Sequence, residues 1–109
     1  MGLHHIAIIV SSEKCLDFYK AFGFVETLRK ERERDTVVLL KGYGVMLEIF
    51  IDPRHPKRLT PEPLGLRHFA LKVDDIEKAA RGCVIQTDWI GERFCFVTDP
   101  DGNQIELHE

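Results

Sequence analysis

Four residues stand out by chemical type and by recurrence: His5, Glu48, His68 and Glu106. Imidazole nitrogen and carboxylate oxygen together make the mixed donor set that divalent first-row cations accept. Each of the four lies in a short apolar stretch. An isolated ionised carboxylate there costs several kcal/mol to desolvate, whereas a surface ion pair returns only ~1 kcal/mol. A divalent cation is a partner strong enough to offset that cost. A six-coordinate ion held by four side chains would also keep about two positions for water or substrate oxygens, unlike a closed structural zinc site. Taken singly, a His in an apolar strand is usually a satisfied core residue, and a Glu there usually points to solvent. What makes the four a set is repetition.

Leu3-His4-His5-Ile6-Ala7-Ile8-Ile9-Val10 lies on Leu66-Arg67-His68-Phe69-Ala70-Leu71-Lys72-Val73 at a constant offset of 63. Val45-Met46-Leu47-Glu48-Ile49-Phe50 lies on Asn103-Gln104-Ile105-Glu106-Leu107-His108 at an offset of 58, so the second copy is five residues shorter inside. Each half therefore carries a His in its first strand and a Glu in its last. A pseudo-twofold axis between two such halves would bring the four side chains onto one ion. His4, His55 and His108 lack counterparts and read as surface groups or as supports for the ligands.

The elements that must position these residues follow from local pattern. Both first segments are short, β-branched-rich and uniformly apolar, as in a strand covered on both faces. Ser11-Ser12 then signals a helix start, with Cys15, Leu16, Phe18, Tyr19 and Phe22 at helical spacing and Gly23 as a stop, about three turns in all. In the second half, Asp74 and Glu77 have capping-box spacing ahead of a short helix over residues 75–81. Three strands follow each helix: residues 25–30, 36–41 and 45–51, then 84–87, 93–98 and 104–108. Gly42-Tyr43-Gly44 and Asp99-Pro100-Asp101-Gly102 supply turns. Residues 52–63 hold four prolines and read as a connector. The expected organisation is one α+β domain over residues 1–109: module one 1–51, linker 52–64, module two 65–109, each module βαβββ.

Composition narrows the class. Charged residues make up 30% with both signs interspersed and the formal net charge is -3, which gives no electrostatic reason to expect a nucleic-acid partner. No apolar run approaches the ~20 residues of a membrane span, and the start of the chain lacks the zones of a secretory signal, so we expect a cytoplasmic protein. Cys15, Cys83 and Cys95 are widely separated with no C-x-x-C pair, and we expect reduced, mostly buried thiols. The run Arg29-Lys30-Glu31-Arg32-Glu33-Arg34-Asp35 alternates in sign and reads as a solvated face.

With these residues in view, the chain resembles the vicinal oxygen chelate superfamily, and within it the glyoxalase I-like proteins. The resemblance rests on Leu3-His4-His5-Ile6-Ala7, on Leu66-Arg67-His68-Phe69-Ala70-Leu71-Lys72-Val73-Asp74-Asp75, and on Phe96-Val97-Thr98-Asp99-Pro100-Asp101-Gly102-Asn103-Gln104-Ile105-Glu106-Leu107. It implies paired βαβββ modules forming an open, curved, eight-stranded mixed sheet, with His5, Glu48, His68 and Glu106 ligating one divalent ion (Ni, Zn, Co, Mn or Fe) in a cleft. Homodimers are usual in the family, with modules paired within or between chains. The implied activity is that of a lyase or isomerase acting on a small vicinal-oxygen substrate, such as a 2-oxoaldehyde hemithioacetal, through an enediolate. By resemblance Glu106 is the catalytic base.

Two departures bear on the substrate. Ile9 stands where bacterial glyoxalase I has a glutathione-holding Arg, and Asp52 stands where an Asn contact is expected, so favourable contacts to an anionic glutathione arm are removed or reversed. Arg93 and Phe96 are candidate substrate contacts. The alternatives are a non-catalytic binding protein of the bleomycin-resistance kind and other enzymes of the superfamily. Of the latter, an epimerase is expected to carry Gln at Glu48. A resistance thiol transferase keeps only one Glu, and an extradiol dioxygenase has a longer chain with additional His and Tyr.

Overall fold

A strand, a helix and three more strands succeed one another twice along the chain. In a computed structural model, which describes residues 1–109, the first half is β1 (Ile6–Val10), α1 (Glu13–Ala21), β2 (Val25–Glu31), β3 (Thr36–Gly42) and β4 (Val45–Ile51). The second is β5 (Phe69–Lys72), α2 (Ile76–Ala79), β6 (Gln86–Thr87), β7 (Arg93–Thr98) and β8 (Gln104–His108). The class is α+β. The strands pair as two four-stranded mixed sheets, ordered β1-β4-β3-β2 and β5-β8-β7-β6. The chain divides into compact units Met1–Lys57 and Arg58–Glu109, the division falling inside the proline-bearing connector.

The repeat seen in the sequence becomes a repeat of register. β1 runs parallel to β4 with Ala7 opposite Glu48, and β5 runs parallel to β8 with Ala70 opposite Glu106. A parallel pair cannot be closed by a tight turn, and the intervening helix and hairpin supply the crossover. The other pairings, β2 with β3, β3 with β4, β6 with β7 and β7 with β8, are antiparallel.

Alternation along the strands separates core from site. Val38, Leu40, Leu47 and Ile49 are buried and form the core of the first unit with Cys15, Leu16 and Tyr19 of α1. Leu71, Cys95, Val97, Ile105 and Leu107 do the same in the second unit with Ile76 and Ala80. Each Val, Leu or Ile among them contributes roughly 1.5–3 kcal/mol of burial, which fixes the register because a one-residue slip would expose the whole set. The residues between them, Met46, Glu48 and Phe50, or Glu106 and His108, are only half-buried. Two-sided burial of the first strands is therefore not what forms: Ala7 and Ile9 are exposed. A sheet is covered on both faces when it has crossover helices on both, and each unit has one helix.

Local chemistry sets the element ends. Ser12 is the N-cap residue of α1 in extended backbone, and the helix is nine residues long, shorter than three turns. Gly23, at φ +104°, takes the left-handed conformation beyond its end. In the second unit Asp75, not Asp74, is the N-cap: its carboxylate accepts from the Glu77 and Lys78 amides at 3.1 and 3.3 Å. The capping signal is thus one residue later than the Asp74–Glu77 spacing suggested, and α2 has only four residues. β6 is reduced to two residues.

The turn that delivers Glu106 is built on Asp99. Its carboxylate accepts from the amides of Asp101 and Asn103 at 2.9 and 2.8 Å and from the Asn103 side-chain amide at 2.9 Å. The Gly102 amide bonds the Asp99 carbonyl at 3.0 Å. Gly102 itself has φ +90°, a conformation that costs an L side chain roughly 1–2 kcal/mol.

Candidate functional site

In the first unit His5 sits immediately before β1, two residues ahead of Ala7, and so shares its face. Because Ala7 is level with Glu48, the imidazole Nε2 comes within 3.5 Å of Glu48 Oε1. The other ring nitrogen is occupied: His5 Nδ1 and His4 Nδ1 are 2.8 Å apart and share a hydrogen bond. His4 thereby turns the Nε2 edge of His5 toward the carboxylate, the kind of support that fixes ring orientation in metal-binding histidines.

The second unit repeats the geometry. His68 directly precedes β5, and its Nε2 lies 3.9 Å from Glu106 Oε2. Phe96 of β7 is level with Glu106 and meets the His68 ring edge to face, centroids 4.9 Å apart at 83°. Phe94 continues the aromatic row at 5.7 Å from Phe96. His68 Nδ1 is buried with no hydrogen-bond partner. The ring's other nitrogen, Nε2, is the one turned toward Glu106.

Both first-strand histidines thus stand one residue before the strands proper, where β pairing leaves the backbone freer. The desolvation argument also changes scale. Glu48 and Glu106 side chains keep 29% and 18% of their exposure, on half-buried faces, so a cation is not needed merely to make them tolerable.

The donor set nevertheless fits a metal. Two ligands about 2.1 Å from one cation lie about 3 Å apart at right angles and about 3.5 Å apart at wider angles. The His5–Glu48 separation falls at that limit and His68–Glu106 just beyond it. Neither pair is held by a hydrogen bond between its members. The structure gathers no group of three or more His, Cys, Asp or Glu side chains that could hold an ion. It forms two pairs, each offering one nitrogen and one carboxylate.

Of the two suggested substrate contacts, Phe96 lies on the Glu106 face and Arg93 does not. Arg93 alternates with Phe94, falls on the other face of β7, and is engaged by Glu109 at 2.9 and 2.8 Å and by Glu77 at 3.1 Å. Those carboxylates hold the guanidinium firmly protonated, with Glu109 the larger influence. Trp89 is almost fully exposed in the β6–β7 turn.

Sequence reasoning missed the group around His108. This side chain shares the face of Glu106, two residues on. Its Nε2 lies 3.2 Å from Asp88 Oδ2, and its Nδ1 lies 3.4 Å from Glu92 Oε2. The hydrogen bond to Asp88, more than the neighbouring charges, raises the His108 pKa above its ordinary value. No spacing announced the trio, because Asp88 and Glu92 belong to a turn whose fold brings them back onto β8.

Two small mixed sheets, each presenting a His and a Glu at one register, define an α+β protein that offers nitrogen and carboxylate ligands in duplicate. The chain belongs to the Glyoxalase/Bleomycin resistance protein/Dioxygenase superfamily, which it matches over residues 2–107. It is 39% identical to YwkD of Bacillus subtilis (strain 168), described as uncharacterized, over 99% of this chain and 96% of that protein. It is 35% identical to YaeR of Escherichia coli (strain K12), also described as uncharacterized, over 98% and 95%. Among solved structures, a glyoxalase family protein from Enterococcus faecalis superposes with a TM-score of 0.90 at 34% identity, over 99% of this chain and 97% of that one.

Proposed function

We propose that the protein is a metal-dependent lyase or isomerase of the glyoxalase type, acting on a small molecule with two adjacent oxygens, such as the hemithioacetal of a 2-oxoaldehyde. His5, Glu48, His68 and Glu106 are the ligands of one divalent cation (Ni, Zn, Co, Mn or Fe). The two pairs serve that ion together, within one chain or across a homodimer. The observation that carries this reading is the recurrence of one His–Glu pair at one register, Ala7 opposite Glu48 and Ala70 opposite Glu106. Two unrelated structural histidines would have no reason to share it.

When bound, the cation supplies Lewis acidity that polarises the substrate carbonyl and acidifies the neighbouring C–H bond. Glu106 takes that proton and returns it to the adjacent carbon. No hydrogen bond from His68 ties its carboxylate down, and Phe96 lies beside it on the neighbouring strand. His5, held by His4, and His68, backed by Phe96, keep their rings aimed. No helix is long and apolar enough to cross a membrane.

The test is elemental analysis of protein purified without added metal. Chelation and restoration with Ni, Co, Zn or Mn follow, with methylglyoxal and several thiols as substrates. Metal-dependent turnover is expected. Stoichiometric metal with no turnover of any adduct would favour a binding protein, and no metal uptake under any condition would end the proposal.

A further inference from the structure

We propose that the β2–β3 turn and the segment after β4 form an oxyanion-binding cleft that takes a carboxylate or phosphate group of the substrate. This rests on the reading above that the Glu48 face is part of the reaction site, and it narrows the substrate to an anionic one. A shallow hollow of about 560 Å³, broadly open to solvent, lies there, lined by Arg32, Glu33, Arg34 and Arg54. It adjoins the Glu48 face: the Arg32 guanidinium lies over the ring of Phe50, 5.6 Å from its centroid. Phe50 follows Glu48 by two residues, on the same face and about 7 Å along the strand.

Arg32 and Arg54 are each paired with an aspartate, yet each keeps one guanidinium nitrogen unbonded. Arg32 spends Nε and Nη2 on the two oxygens of Asp35, at 2.6 and 2.7 Å, leaving Nη1 unbonded. Arg54 spends Nε and Nη2 on Asp52, both at 2.9 Å, with Nη2 also reaching the Arg34 carbonyl at 2.9 Å, and again Nη1 is unbonded. The Arg34 side chain has only a 3.9 Å contact with Asp35. The aspartates are the pedestal: Asp52 is 6% exposed, while Arg54 and Arg34 are 63% and 69% exposed. What faces solvent is the guanidinium of Arg34 and of Arg54 beside the exposed Glu33 carboxylate, while both aspartates are covered. Planar forks held in place lose little freedom on binding a carboxylate or phosphate, which is where arginine surpasses lysine.

This inverts the sequence-based expectation for Asp52. Read alone, an acid four residues after Glu48 repels an anionic substrate arm. In the fold its carboxylate is covered, and it presents Arg54 instead.

The test uses metal-free protein, so that neither cation nor turnover enters. Arginine Nε–Hε and backbone amide resonances are followed by NMR during titration with inorganic phosphate, with succinate, and with ethylene glycol as the neutral control. Saturable shifts at Arg32, Arg34 and Arg54 are expected with phosphate or succinate and none with ethylene glycol. The tighter of the two anions identifies the substrate group. Arg34→Gln, which breaks no short ion pair, should weaken binding about tenfold, and Glu33→Gln should tighten it. Arg54→Gln exposes Asp52 as an unpaired acid and is informative only if its spectrum stays folded, so Arg34→Gln carries the decision. Shifts scattered over other basic residues, or binding unchanged in Arg34→Gln, would overturn the cleft. Anion binding lost alongside intact metal-dependent turnover refutes the cleft alone. Anion binding kept in a protein without metal-dependent chemistry upholds the cleft and refutes the proposed reaction.

Discussion

His68 Nε2 stands 3.9 Å from Glu106 Oε2 with no hydrogen bond between them, while the Nδ1 of the same ring is buried and unpartnered. A structural His–Glu contact would close that gap. His68 and Glu106 thus lie close without bonding each other, and Glu106 is the group to which the proposal gives the proton transfer. Glu106→Gln keeps an oxygen donor but removes the base. Turnover should fall by roughly 10²–10⁴-fold while bound metal, measured by elemental analysis, falls much less. Unaltered turnover would contradict the role given to Glu106.

His4 should matter without touching metal or substrate. Its hydrogen bond at 2.8 Å fixes the His5 ring. His4→Ala is expected to lower metal affinity by about 10–100-fold with no loss of thermal stability, because the side chain is exposed. Competition with a chromogenic chelator measures the affinity. An unchanged value would show that the His4–His5 contact is incidental.

Asp99 is 3% exposed and holds the turn before β8 through three hydrogen bonds. Asp99→Ala leaves two backbone amides without their acceptor, and a destabilisation of about 1–3 kcal/mol should follow in urea unfolding. Gly102→Ala should act in the same direction through φ +90°.

The pH dependence of stability follows from Arg29, which joins α1 to β2. It bonds Glu26 at 3.1 and 3.0 Å and Glu13 at 3.1 Å, and Lys20 adds a bond to Glu26 at 3.2 Å. Arg29 first, with Lys20, holds the Glu26 carboxyl down at about 2, from an ordinary 4.5. Since the folded value is the lower one, the unfolded chain binds the proton more readily. The contribution is complete above the ordinary value and is lost as pH falls from there toward about 2. Urea midpoints should therefore drop over that interval, and Glu26→Gln should flatten the drop. An equal drop in the variant would assign it to other carboxylates.

The recurrence of His5 at His68 and of Glu48 at Glu106 was legible because duplication preserves residue order; that each His faces the Glu of its own half came only from the parallel register of β1 with β4 and of β5 with β8. Phe96 was legible as a strand aromatic and found its place beside His68. The face that Arg93 takes was not legible, since its parity in β7 has meaning only once Phe96 is known to lie level with Glu106. Two-sided burial of the first strands was misread because an apolar run states hydrophobicity but not how many helices will cover it.

The amino-acid order by itself determined the α+β class, the two βαβββ modules, the turn at Asp99-Pro100-Asp101-Gly102 and the four ligand candidates. All of these are local patterns or repeats of local patterns. Only the tertiary structure decided that Asp52 is a buried support for an exposed Arg54, that Arg32 lies over Phe50, and that Asp88 and Glu92 return to His108. Those contacts join residues through turns and across strands, where the sign of a charge depends on which partner covers it, and covering is a property of packing rather than of sequence.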